Sequence, residues 1–359
     1  MYDILRPELI WIEGRCYRVN DTNTEISAFQ EHDLYENEMA FQDVGDDDID
    51  DRFEIVEIDN RFYTSFHVSK HYFGSIIGKK GIMKSRIEKD TKTNIKIPKQ
   101  GEAGDIAIFG PSALNVKAAC RRINIIVMSA RMKQKPTHFL SIPLNHSSII
   151  ERFENFKQNV LQECSTKGID ESLFIRSCKL HLTIGVMCLM DNEERLHASK
   201  LLSEAKENIL MPVLKDYLPL KIRLKGLSYM NDDPKSIDVL YSCVEDDGPS
   251  GMIQKITDGL VDHFYKAGFM DREFGRDNVK LHVTLMNSKY RNKSSLDTDD
   301  DRTSNKRSIR ETFDGSDILS KFSNYDFGVT EINNIHLSQR KTMGSDGYYQ
   351  PTFVISLNE

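Results

Sequence analysis

Two short apolar segments in the second half of the chain echo each other: Lys179-Leu180-His181-Leu182-Thr183-Ile184 and, 101 positions later, Lys280-Leu281-His282-Val283-Thr284-Leu285. Each is short, apolar and rich in branched residues, the signature of a buried strand. Side chains alternate along a strand, so His181 and Thr183 share one face while Leu180, Leu182 and Ile184 take the other. His282 and Thr284 stand opposite Leu281, Val283 and Leu285 in the same way. A fold containing both copies holds two matched strands, each offering an imidazole and a hydroxyl to a common surface.

That pairing suits in-line cleavage of a phosphodiester. The reaction needs a base to take a proton from the attacking water and an acid to protonate the departing oxygen, and histidine does either near neutral pH. Threonine hydroxyls can donate hydrogen bonds to the non-bridging oxygens as charge develops there. This division of labour calls for no metal and no cofactor, and no concentrated set of His, Asp and Glu surrounds the two segments. A single H-x-T is weak, since a buried histidine bonded to a neighbour is the commoner explanation. Two copies in matched frames are much stronger. A third, Ile335-His336-Leu337-Ser338, fits H-x-[ST] without the Leu-His-apolar-Thr-apolar frame, and is expected to line a groove or to pack. His138, His146, His197 and His263 lack the frame and read as structural or exposed.

The repeated motif, with alternating strands and helices around it over about residues 136–359, resembles the two-histidine phosphoesterase superfamily. The resemblance implies two pseudo-symmetric lobes, each giving one H-x-[ST] to a central cleft. It places His181, Thr183, His282 and Thr284 in catalytic positions with no metal.

Charge separates the first part of the chain from the rest. Residues 31–60 carry 13 Asp and Glu against Arg52 alone, whereas residues 61–135 carry 16 Lys and Arg against four acids. A unit so basic suits a polyanion. Within it the pattern runs strand (about 62–69), short helix (71–77), Gly78-Lys79-Lys80-Gly81, helix (82–91), strands Asn94 to Pro98 and Asp105 to Phe109, and a long helix from Ser112 to about Lys133. Glycines between two helices let the backbone approach a sugar-phosphate chain, where amides and lysines meet phosphate. The order, with Ile76-Ile77-Gly78-Lys79-Lys80-Gly81, resembles a type I KH domain (βααββα), which clamps about four nucleotides. The resemblance puts Ile77, Gly78, Lys79, Lys80 and Gly81 along the groove, Ile97 under a base, and Arg86 as a lesser contact.

The expected architecture is therefore α+β in two domains: residues 1–60 as a largely flexible N-terminal segment with an acidic linker, 61–135 as the KH domain and 136–359 as the phosphodiesterase-like domain. Pro136 marks the second boundary. Trp11, in Leu9-Ile10-Trp11-Ile12, lies in a short apolar segment that can dock on a partner or on its own domain. Residues 291–308 are charged and aperiodic, and read as a mobile loop. No apolar run reaches bilayer length and no secretory pattern opens the chain, so a soluble, unsecreted protein is expected. Six cysteines without C-x-x-C pairs suit a reducing compartment.

Runs such as Leu5-Arg6-Pro7, Thr137-His138-Phe139-Leu140, Tyr229-Met230-Asn231-Asp232-Asp233-Pro234 and Ile335-His336-Leu337-Ser338-Gln339-Arg340 are similar to those of a family of subunits from a transcription-coactivator complex. That resemblance implies a nuclear location, a large helicase among the partners and a link to alkylation repair. Single-stranded RNA, or single-stranded DNA in its place, is the expected ligand. The competing reading is a non-catalytic adaptor that uses the KH domain and the inherited cleft for binding alone; a third makes the basic domain a protein contact.

Overall fold

The computed structural model describes residues 9–12, 15–18, 53–58, 60–99, 102, 104–271, 278–291 and 311–358. The chain divides into two units, 1–46 and 47–359. In the first, β1 (Leu9–Ile12) pairs antiparallel with β2 (Arg15–Arg18), so the apolar segment around Trp11 forms a hairpin. The acidic run Asp46–Asp51 and the expected loop from 292 onward lie outside the described residues.

The second unit begins with a four-stranded antiparallel sheet in the order β3 (Val56–Ile58), β4 (Arg61–Phe66), β6 (Ile106–Gly110), β5 (Asn94–Lys96). Helices α1 (Phe73–Ile77), α2 (Ile82–Thr91) and α3 (Ala113–Met132) complete it. Ile76, Ile87, Ile95, Ile106, Ile108, Val116 and Ile123 are fully buried between sheet and helices. Ser112 caps α3, accepting from the Asn115 amide at 3.2 Å, as its place before the helix foretold. Two details differ from the sequence reading. The first expected strand stops at Phe66 rather than residue 69. Ahead of residue 61, β3 adds a further strand to the sheet, and Phe53 and Ile55 pack against the core. Phe53 and Ile55 turn inward, whereas Val56 and Ile58 of β3 stay exposed, so backbone pairing with β4 holds this strand to the sheet.

Residues 138–358 build an eight-stranded, wholly antiparallel sheet. Its order is β12 (Asp326–Glu331), β9 (Lys221–Tyr229), β10 (Val239–Asp246), β11 (Val283–Asn287), β8 (His181–Met187), β7 (His138–Pro143), β13 (Asn334–Met343), β14 (Tyr349–Ser356). The order reveals a repeat. A strand, a long helix and a partner strand occur once as β7, α4 (Ser147–Glu163) and β8, and again as β10, α7 (Met252–Lys266) and β11, with α5 (Asn192–Ala205) and α6 (Met211–Leu214) between; α8 (Ser316–Phe322) follows. Each long helix carries one apolar stripe at the helical period: Ile149, Phe153, Phe156 and Val160 on α4, Ile253, Ile256, Leu260 and Phe264 on α7, all buried. The two repeats meet where β8 lies beside β11, through the pair Val283 and Leu182.

The KH sheet and the large sheet have separate cores, and one buried charge network joins them. Arg131, near the end of α3, donates to the Gly268 carbonyl and to the Glu194 carboxylate, and both charged side chains are below 10% exposed. Its guanidinium lies 4.6 Å from the Phe269 ring and 5.4 Å from that of Tyr72. Nearby, His67 Nε2 bonds Asp191 at 3.1 Å, and Asp191 in turn caps α5. No helix among the described residues is long and apolar enough to cross a membrane.

Candidate active site and nucleic-acid interface

The register between β8 and β11 fixes the relation of the two motifs. With Leu182 opposite Val283, antiparallel pairing sets His181 across from Thr284 and Thr183 across from His282. Leu182 and Val283 are buried on the core side, so all four polar side chains share the opposite face. The histidines occupy diagonal positions, for which a spacing of about 7–8 Å is usual, enough to admit a phosphate.

The two imidazoles are held alike. His181 Nδ1 donates to the Lys179 carbonyl and His282 Nδ1 to the Lys280 carbonyl, each at 2.7 Å. A carbonyl can only accept, so the bond fixes the proton on Nδ1 and leaves Nε2 for chemistry. Each ring has an aromatic neighbour, Phe139 at 5.3 Å from His181 and Tyr241 at 5.4 Å from His282. Each preceding lysine lies over a tyrosine, Lys179 over Tyr349 at 5.3 Å and Lys280 over Tyr241 at 4.8 Å. Burial lowers the His181 imidazole to about 4, the bond to Lys179 opposing and the charge of His282 assisting. His181 is therefore neutral at pH 7.

Beside His181 opens a cavity of about 620 Å³, lined by Lys157, Arg176 and Lys179, by Tyr290 and Tyr349, and by Glu154 and Glu171 among others. Tyr349 stands edge-on to His181 at 5.4 Å, and burial pushes its hydroxyl up to about 12. Sequence reasoning missed these residues. The repeated Lys-Leu-His was the only available signal, and it pointed to Lys179 and Lys280 alone. Among the described residues no three His, Cys, Asp or Glu side chains group as a metal site does.

His336 and Ser338 are two strands away from His181 on the same face. Ser338 Oγ lies 3.2 Å from Ser141 Oγ, which accepts from the Tyr348 hydroxyl at 3.0 Å. His336 stands 5.8 Å from the Tyr348 ring, which also neighbours His181 at 6.4 Å. His138 is buried, bonded through Nδ1 to Thr137 at 2.8 Å and lowered by burial to about 4. His146 bonds Thr330 at the start of α4. His197 meets the Phe269 ring edge-on, and His263 that of Phe264. None of these four reaches the H-x-T pair.

In the basic unit, Gly78 (φ +69°, ψ 177°) and Gly81 (φ +80°) turn the chain between α1 and α2, and Lys80 adopts φ +54°. A Cβ on Gly78 would lie 2.7 Å from that of Met83, so glycine is required there. Lys79 and Lys80 are exposed at the tip, Ile77 is 37% exposed beside them, Arg86 is exposed on α2, and Ile97 is half-buried against the core just past β5. The turn thus presents backbone, two cations and an apolar rim together.

The family model of the AKAP7 2'5' RNA ligase-like domain matches residues 136–357, and that of the KH domain matches residues 63–125. Activating signal cointegrator 1 complex subunit 1 of Mus musculus is 35% identical over 355 residues, 97% of each chain. Among solved structures, TT0787 of Thermus thermophilus shares 15% identity at a TM-score of 0.38, over 62% of this chain and 97% of its own. E. coli LigT complexed with NADP+ shares 14% identity at a TM-score of 0.35, over 63% and 100%.

Proposed function

We propose that this chain, which belongs to the family of activating signal cointegrator 1 complex subunit 1 and, over residues 136–357, to that of the AKAP7 2'5' RNA ligase-like domain, is a metal-independent phosphodiesterase acting on RNA ends or 2',3'-cyclic phosphates. The observation that carries this reading is the matched pair of imidazoles on neighbouring strands, each pinned through Nδ1 to the carbonyl two residues before it. A phosphate seated between them has an Nε2 on either side. His181, kept neutral by burial, takes the proton of the attacking water; His282 protonates the departing ribose oxygen; Thr183 and Thr284 donate to the non-bridging oxygens. The cavity beside His181 offers lysine and arginine to the adjoining phosphates and tyrosine faces to a base. The KH turn, with Ile77, Gly78, Lys79, Lys80, Gly81, Arg86 and Ile97, holds single-stranded RNA, or single-stranded DNA, upstream.

The test is to incubate the protein, with chelator present, with short RNAs ending in 2',3'-cyclic phosphate and to identify the product ends by mass spectrometry. Opening of the ring is expected, and replacing either histidine by alanine lowers the rate by about 10²–10⁴. Because kcat/KM reports the free enzyme, its acid limb falls near pH 4, where His181 protonates. Full activity in a His181→Ala, His282→Ala double variant refutes the assignment.

The relative's name supports membership of a multi-subunit complex; the nuclear location, the helicase partner and the repair role extend the proposal from the sequence resemblance. The chain works in the nucleus, beside the helicase and other subunits of the activating signal cointegrator 1 complex, in coactivation and alkylation repair. Co-purification of those subunits with the tagged protein from nuclear extract is the check, and their absence argues against it.

A further inference from the structure

The KH sheet has two faces, and the helices cover only one. Strand parity turns Ile95, Ile106 and Ile108 toward the helices and Val56, Ile58, Arg61, Tyr63, Lys96 and Phe109 away from them. Tyr63 and Phe109 are directly paired across β4 and β6, their ring centroids 4.9 Å apart at 38°. Lys96 Nζ lies 4.8 Å from the Phe109 centroid. Beside the pair, Arg61 and Ile58, which face each other across β3 and β4, help line a cavity of about 360 Å³ with both rings. Val56 and Ile58 are about half exposed, at 45% and 53%. None of the outward positions on these four strands carries an acid.

We propose that this outer face is a second single-stranded nucleic-acid site, separate from the glycine turn, on which bases stack against Tyr63 and Phe109 while Arg61 and Lys96 meet phosphates. Two observations select a nucleic acid over a protein segment. Aromatic rings on a flat sheet with cations at their margins are the elements that hold splayed bases and their backbone. The charged side chains at the outward strand positions, Arg61 and Lys96, are both positive, which complements a phosphate chain. Its location supplies a path. Ile97, at the groove, directly follows Lys96, so a strand leaving the turn can pass around the edge of β5 onto Phe109 and Tyr63. Crossing from β5 to β3 spans on the order of 14 Å, room for a few nucleotides beyond the roughly four held at the turn.

Oligonucleotide length separates the sites. In the full chain, a labelled RNA of about twelve nucleotides is expected to bind more tightly than one of about four, by fluorescence anisotropy. A Tyr63→Ala, Phe109→Ala variant is expected to weaken the long RNA about tenfold or more and to leave the short one unchanged. Retained short-RNA binding also shows that the domain has folded. Should the aromatic variant lose both, an Arg61→Gln, Lys96→Gln variant decides, because it leaves the cross-strand ring pair in place. It is expected to lower the slope of log affinity against log salt by about 1.4, two phosphates' worth, for the long RNA only. The proposal falls if long and short RNAs bind the wild-type chain alike, or if the charge variant keeps both affinity and slope. Unchanged RNA binding together with loss of a protein partner assigns the face to a protein instead.

Discussion

Replacing Arg131 with alanine tests whether the KH and phosphoesterase-like parts are one mechanical body. In the native chain Arg131 and Glu194 are 7% and 5% exposed, and the guanidinium also binds the Gly268 carbonyl and lies against Tyr72 and Phe269. Without it the Glu194 carboxylate stays buried with the Met190 amide, at 2.7 Å, as its remaining donor. Leaving one partner of a buried ion pair uncompensated costs about 3–5 kcal/mol, a large part of the roughly 5–15 kcal/mol that stabilises a protein. At about 2–4 °C per kcal/mol for domains of this size, the melting temperature should drop by roughly 10 °C. Differential scanning calorimetry is the assay, and the transition should also split in two as the parts uncouple. Replacing both charges is the control: Arg131→Met with Glu194→Leu should recover most of the loss, because apolar residues leave no charge stranded. A shift below about 2 °C in Arg131→Ala, with a single transition, refutes the reasoning.

Acid should weaken the fold through two histidines. His181 and His138 titrate near 4 when folded against 6.5 unfolded, so between those values the unfolded chain binds more protons. Stability is full above pH 6.5 and declines as pH falls toward 4, by roughly 3 kcal/mol at most for each histidine; urea midpoints across that range are the check, and a flat profile contradicts it. Gly78→Ala should cost about 1–3 kcal/mol, since its backbone conformation is one only glycine adopts readily; a denaturation midpoint unchanged from wild type would show that the turn relaxes freely. Tyr349→Ala should raise KM for RNA ends about tenfold through lost stacking and leave kcat nearly unchanged; a fall in kcat alone would mean that it positions His181 instead.

Much of this protein is written in local pattern. Alternation put His181 and Thr183 on one face and Leu182 on the other, the helical period marked α4 and α7, Ser112 announced α3, and two glycines announced the turn at residue 78. Each is a relation between near neighbours, which the backbone's own geometry enforces. The acidic segment before residue 61 hid β3, because Val56, Glu57 and Ile58 are all exposed and carry no alternating buried face, and the strand is held by backbone pairing with β4.

Only the tertiary structure set Leu182 opposite Val283, and with it the diagonal of the two histidines. It also brought Tyr349 to His181, Tyr241 to His282 and Arg131 to Glu194. These are meetings of residues far apart in the chain, chosen by how whole sheets and helices pack, and nothing in the spacing of a single strand or helix encodes them.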